Sequence, residues 1–213
     1  MASTKLNLFN KALRMIGERR LASLTEEKKS RRSLDDVWDQ GGVQYCLEQA
    51  QWHFAMRTVM MDYDPAIEPD FGYRRAFNKP DDWVITSALC SDEFFTSPIT
   101  SYSDEAGYWY CEYDRIYVKY VSLSDSYGMD MNKWPESFEN YVAAYFASEI
   151  ALDITGDQAK YERLLKILDM KKLDAKSRAA MAENTKFPPP GSWSNARTSN
   201  SNRERGNRHS LIG

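Results

Sequence analysis

The chain has 213 residues, 42% of them hydrophobic and 13% aromatic, with a formal net charge of -3. That length allows one domain, or one domain carrying an inserted lobe, with a sizeable buried core. No run approaches the roughly 18 to 20 apolar residues of a membrane span, and Cys46, Cys90 and Cys111 are too widely spaced for a disulfide framework or a zinc pattern.

The three cysteines suit assembly in a reducing cytoplasm. The N-terminus shows no long apolar run and no small-residue cleavage site, so no signal peptide is expected. Charge is unevenly placed. From Lys186 onward, Lys186, Arg197, Arg203, Arg205 and Arg208 stand against Glu204, a local charge of +4, which leaves -7 on the preceding 185 residues. An acidic body with a basic tail predicts a partner for the tail.

Leu6, Phe9, Leu13 and Ile16 step by three and four, which predicts an amphipathic first helix with Thr4 as its N-cap and Gly17 as its stop. The polar stretch 18–29 reads as a loop. A long second helix is expected from Ser30 to just before Asp64-Pro65. Its stripe is Leu34, Trp38, Gly41, Tyr45, Gln49, Trp52, Met56 and Val59. Asp35 and Asp36 fall in its first turn, where the helix dipole favours acids. Gly41-Gly42 inside this pattern costs about 1 kcal/mol per glycine relative to alanine, so a kink or a close backbone neighbour is expected there. From Phe71 to about Val121 the period shortens to two. Trp83–Ala88, Gly107–Tyr113 and Ile116–Tyr120 are rich in aromatic and β-branched residues and predict a small antiparallel β-lobe.

The helical period returns after Trp134-Pro135. Trp134, Phe138, Tyr141, Val142, Tyr145 and Leu152 share a stripe flanked by Ala143, Ala144, Ala147 and Ala151. Gly156 stops this helix and Asp157 caps the next, whose apolar side is Tyr161, Leu164, Leu165 and Leu168. Beyond Leu168 the helix becomes alanine-rich and charged, to about Glu183. Pro188-Pro189-Pro190-Gly191 then opens a Ser/Asn/Arg-rich run that has too little apolar area to order itself. The expected fold is therefore mainly α: a four-helix bundle (1–63 and 129–185) with a small antiparallel β-lobe (64–128) inserted between helices 2 and 3. An extended basic C-terminal tail (186–213) follows.

Motifs for chemistry are sparse. The sequence contains no dinucleotide or phosphate loop, no nucleophile elbow and no zinc-protease motif. Neither cofactor nor metal is expected. His53 reads as a core or interface residue and His209 as a polar contact in the tail. The acidic neighbours Asp35-Asp36, Asp81-Asp82, Asp92-Glu93 and Asp104-Glu105 read as caps and turns. Glu112 and Asp114 could share a strand face and act as a glycosidase pair; two acids beside a β-turn are far more often solvated surface. The tail arginines could neutralise phosphates, as a DNA-binding packaging factor would. Together with Trp193 and the apolar end Leu211-Ile212, they fit better a segment that orders along the groove of another protein.

Leu6-Asn7-Leu8-Phe9-Asn10-Lys11-Ala12-Leu13-Arg14-Met15-Ile16-Gly17, followed by Leu21-Ala22-Ser23-Leu24, resembles the opening of the tail tubular protein A family of short-tailed bacteriophages. So do Ala50-Gln51-Trp52-His53-Phe54-Ala55-Met56-Arg57, Phe71-Gly72-Tyr73, Lys79-Pro80-Asp81-Asp82 and the alanine-rich helix over Tyr141–Ala151. The similarity runs in order over roughly residues 5 to 190. It implies a head-to-tail adaptor in the virion neck, assembled in the host cytoplasm. Such a protein is not an enzyme. Its helical bundle and β-lobe would form a homo-oligomeric, dodecameric ring between the portal protein and the tail nozzle protein. Tail fibres would dock nearby, and DNA would pass through without specific binding or a membrane partner. On this reading Trp38, Trp52, Phe54, Phe138, Tyr141 and Tyr145 serve the core or subunit interface. Trp193, Arg197, Arg203, Arg205, Arg208, Leu211 and Ile212 would bind the portal.

Overall fold

In the computed structural model, residues 4–69 and 72–182 are described. Helix α1 (Lys5–Ile16) begins where Thr4 accepts a hydrogen bond from the Asn7 amide. It ends at Gly17, whose φ of 89° lets its N–H turn back to Leu13 and Arg14. Its buried stripe, Leu8, Phe9, Ala12, Leu13 and Ile16, packs on the long helix α4 (Glu136–Thr155). Helix α4 is apolar nearly all round because α1, α2 (Lys29–Asp39), α3 (Gly42–Leu47) and α5 (Gln158–Met181) surround it. Gly156 ends α4 in the left-handed region, and Asp157 caps α5 by accepting from Ala159 and Lys160.

The expected long second helix is two short ones. Gly41 takes φ 85° and breaks the helix after Asp39. Gly42 restarts it under close cover: a Cβ there would stand 2.7 Å from the Val37 carbonyl and 2.8 Å from Phe146. Because α2 starts at Lys29, Asp35 lies in its second turn, paired with Lys5 (2.9 Å) and Arg31 (2.5 Å).

After α3 the chain does not stay helical to Asp64. A short 3-10 turn over His53–Ala55 leads into strand β1 (Met56–Asp62). Strand β1 pairs antiparallel along its whole length with β6 (Arg115–Ser122), from Met56 opposite Val121 to Asp62 opposite Arg115. β6 also pairs with β3 (Trp83–Cys90), giving one sheet in the order β1-β6-β3. The second sheet has the order β2-β5-β4, from β2 (Arg75–Asn78), β5 (Tyr108–Cys111) and β4 (Ser103–Glu105).

The fold class expected from sequence is therefore corrected. Among the described residues there are five α-helices and two three-stranded antiparallel sheets, a mixed α/β fold and not a mainly α four-helix bundle. The reason is long-range pairing. Trp52, Met56 and Val59 satisfy a helical period, but β6 offers seven backbone partners to residues 56–62, and satisfied ladders decide between two locally acceptable conformations.

Two hydrophobic clusters result. The larger one joins the helices and includes Phe9, Leu13, Leu34, Leu47, Trp52, Phe138 and Phe146. The second comprises Phe77, Leu89, Ile99, Trp109, Cys111, Ile116, Val118 and Tyr120, all contributed by the β-region.

Candidate functional site

The aromatic residues singled out in the sequence separate into three environments. Trp52, Phe54, Phe138 and Tyr141 form one cluster at the base of α4. The Trp52 and Phe138 rings lie 4.7 Å apart, and the Phe54 and Phe138 rings 4.8 Å apart. Trp52 is fully buried and donates its indole N–H to the Cys46 carbonyl at 3.2 Å, which satisfies the one polar atom it carries inside. Burial pushes the Tyr141 hydroxyl strongly upward. Trp38 is half-buried; it meets Phe9 and Phe146 edge-on and lies 5.0 Å from the Lys5 ammonium. Tyr145 reaches the rim, stacked on the exposed Tyr45 with centroids 4.8 Å apart, and burial pushes its hydroxyl to about 12. Trp193, Arg197, Arg203, Arg205, Arg208, Leu211 and Ile212 lie outside the described residues.

The carboxylates Glu112 and Asp114 are each tied to an arginine. Glu112 is 3.4 Å from Arg74, and Asp114 accepts from Arg75 at 2.6 Å. His53 sits beside the Ala179 carbonyl, with Nε2 at 3.1 Å. Cys46, Cys90 and Cys111 are buried and none is in a disulfide, and desolvation pushes the Cys46 thiol to about 12. Among the described residues there is no group of His, Cys, Asp or Glu arranged to hold a metal. No described helix is long and apolar enough to cross a membrane.

Surface features of α5 escaped the sequence reading. Its inner stripe, Tyr161, Leu164, Leu168 and Ala175, packs on the helical core. Met170, Leu173 and Met181 are 63%, 70% and 80% exposed. At 100° per residue, Leu173 points opposite that inner stripe, and Met170 and Met181 stand on the adjoining flank. Met170, Leu173 and Met181 lie on a 3-4-4 spacing with the polar Ser177 between the last two, so three exposed apolar side chains share a stripe that faces away from the helix's own core. The spacing is present in the sequence, but interleaved lysines and aspartates mask it.

The described residues also form clefts, two of which border the helical core. A polar cleft of about 560 Å³ lies between α1 and the start of α4, lined by Lys11, Arg14, Arg20, Asn132 and Glu139 among others. Glu139 is nearly buried there and pairs with Lys11 at 2.9 Å. An apolar groove of about 170 Å³ lies between the Trp52–Phe54 turn, the start of α4 and the last turns of α5. Neither feature brings together a nucleophile, a base and an oxyanion donor. No family model matches the chain, and no curated protein is significantly similar to it.

Proposed function

We propose that this chain is a structural subunit of a ring that joins the portal of a short-tailed phage to its tail nozzle and lets DNA pass during ejection. The observation that carries this reading is the outward apolar stripe of α5. A 24-residue helix that covers its own core with one stripe and exposes Met170, Leu173 and Met181 on another has surface to bury in an assembly. The family resemblance supplies the rest: a helical core with a β-region, repeated around a channel in the virion neck. The -7 charge of residues 1–185 suits a conduit, because a wall that held phosphates tightly would slow the DNA.

In this reading the segment from Pro188 onward reaches the portal. Its arginines at 197, 203, 205 and 208 meet acidic groups there, and Trp193 is the anchor. Portal and nozzle are the protein partners, with fibres docking near the junction between this chain and the nozzle.

The experiment mixes the purified full chain with purified portal rings and images the product. Portal rings capped by a second ring are expected. Met170→Glu combined with Leu173→Glu should abolish the second ring while leaving the thermal melt of the free chain essentially unchanged, since both positions are exposed. A variant ending at Lys186 should fail to load onto the portal. A full chain that leaves portal rings bare overturns the proposal.

A further inference from the structure

The loop between β3 and β4 is braced from within. Asp92 accepts hydrogen bonds from the Thr96 amide (3.0 and 3.1 Å), the Thr96 hydroxyl (2.7 Å) and the Ser97 amide (2.7 Å). The Ser91 amide donates to the Ser97 carbonyl at 3.1 Å, and Cys90 bridges to Pro98 at the loop's base. Phe95 is held at φ 56°, a left-handed conformation that a bulky side chain adopts only under constraint. What this bracing presents is Phe94, 77% exposed and preceded by Glu93. A solvated phenyl ring on an already ordered loop loses little freedom when it docks and gains from leaving water.

The groove at the end of α5 has the complementary character. Trp52, Phe54, Pro135, Phe138, Ala175 and Ala179 line it, and its volume is about 170 Å³. A dry cavity of about 150 Å³ accepts a benzene ring, so one phenyl group fits. Aromatic edges on the wall favour an aromatic guest over an aliphatic one. Arg178 stands at the edge. It gives its Nε to Asp174 at 2.9 Å and feels the charge of Glu136, and its terminal N–H groups make no hydrogen bond among the described residues. Glu93 likewise has no hydrogen bond or ion pair there, so an acid beside the ring would meet a base beside the groove.

We propose that Phe94 of one copy inserts into this groove on the next copy, with Glu93 pairing to Arg178. Knob and groove are different surfaces of the same chain, so the contact is head-to-tail, and repeated head-to-tail contacts generate rings when the rotation closes. The inference rests on the ring reading for its setting and adds the residues that make one subunit fit the next.

The test uses the full chain, with sedimentation velocity for self-association and imaging on portal rings. Phe94→Ala removes the knob, and Ala179→Leu fills the groove. Each should weaken self-association by at least about tenfold. An equimolar mixture of the two variants should recover one-to-one pairs, because an intact knob then faces an intact groove. Glu93→Arg and Arg178→Glu should each weaken association and should rescue one another when combined. If Ala179→Leu does not fold, the Phe94→Ala and charge-exchange results decide alone. Unmodified chain that forms rings while Phe94→Ala forms them equally well refutes the contact and leaves the ring standing. Chain that never self-associates, even on the portal, removes both. Loss of portal binding with self-association intact in Ala179→Leu assigns the groove to the portal and refutes the contact.

Discussion

Replacing Asp82 with alanine should cost about 3–5 kcal/mol of stability, a large loss for one residue of a Lys-Pro-Asp-Asp turn. Its carboxylate accepts from the Tyr120 hydroxyl (3.0 Å), the Ser122 hydroxyl and Arg57 (2.9 Å). Tyr120 and Ser122 are fully buried on the central strand β6, so removing their acceptor strands two hydroxyls inside the protein. Each stranded hydroxyl costs about 1–3 kcal/mol. The Arg57 side chain is 37% exposed and can turn to water, so its share is below about 1 kcal/mol. Burial alone would raise the Asp82 carboxyl; hydrogen bonds from Ser122, Arg57 and Tyr120 outweigh it and hold the group below its ordinary value. A carboxyl lowered on folding stabilises above its unfolded value, about 3.9, and that stabilisation is lost as pH falls through the lower folded value. Urea melts of the full chain and of Asp82→Ala should therefore differ by a constant amount from neutral pH to about pH 5, and the gap should narrow below about pH 4 without closing, because the stranded hydroxyls remain at any pH. The neighbouring Asp81→Ala, at an exposed site, should stay within about 0.5 kcal/mol. A loss under about 1 kcal/mol for Asp82→Ala at neutral pH, or a gap that widens in acid, would refute this account.

Gly42→Ala should lower stability by about 1–3 kcal/mol despite a helix-propensity gain of about 1 kcal/mol, because the new methyl meets a backbone oxygen and the Phe146 ring at under 3 Å. Thermal melts with calorimetry measure it, and an unchanged or raised midpoint would show that α2 and α3 can part cheaply. Cys46, Cys90 and Cys111 should resist thiol reagents at about pH 8 in the native protein and all react in denaturant, since all three are buried and the thiolate is the reacting form. Rapid labelling of Cys46 in native buffer would show an open path between α3 and α4.

Local signals were sufficient for the ends of helices. Thr4 and Gly17 bracket α1, and Gly156 with Asp157 separates α4 from α5, because capping needs only groups within a few residues of the end. The strands β3, β5 and β6 were likewise readable from their aromatic and β-branched alternation. The aromatic positions of α4 and Trp52 followed from apolar spacing, and the structure gathers four of the six into one cluster. What the sequence could not decide was anything that depends on a distant partner. Residues 56–62 carry a helical spacing and become a strand because β6, some sixty residues later, supplies their hydrogen bonds. Asp82 reads as one of two turn acids, and only the folded chain brings Arg57, Tyr120 and Ser122 to it. The outer stripe of α5 and the groove beside it exist only once one face of that helix has been used up by the core. Periodicity along a chain reports which side chains share a face, and only packing settles which faces remain for a partner.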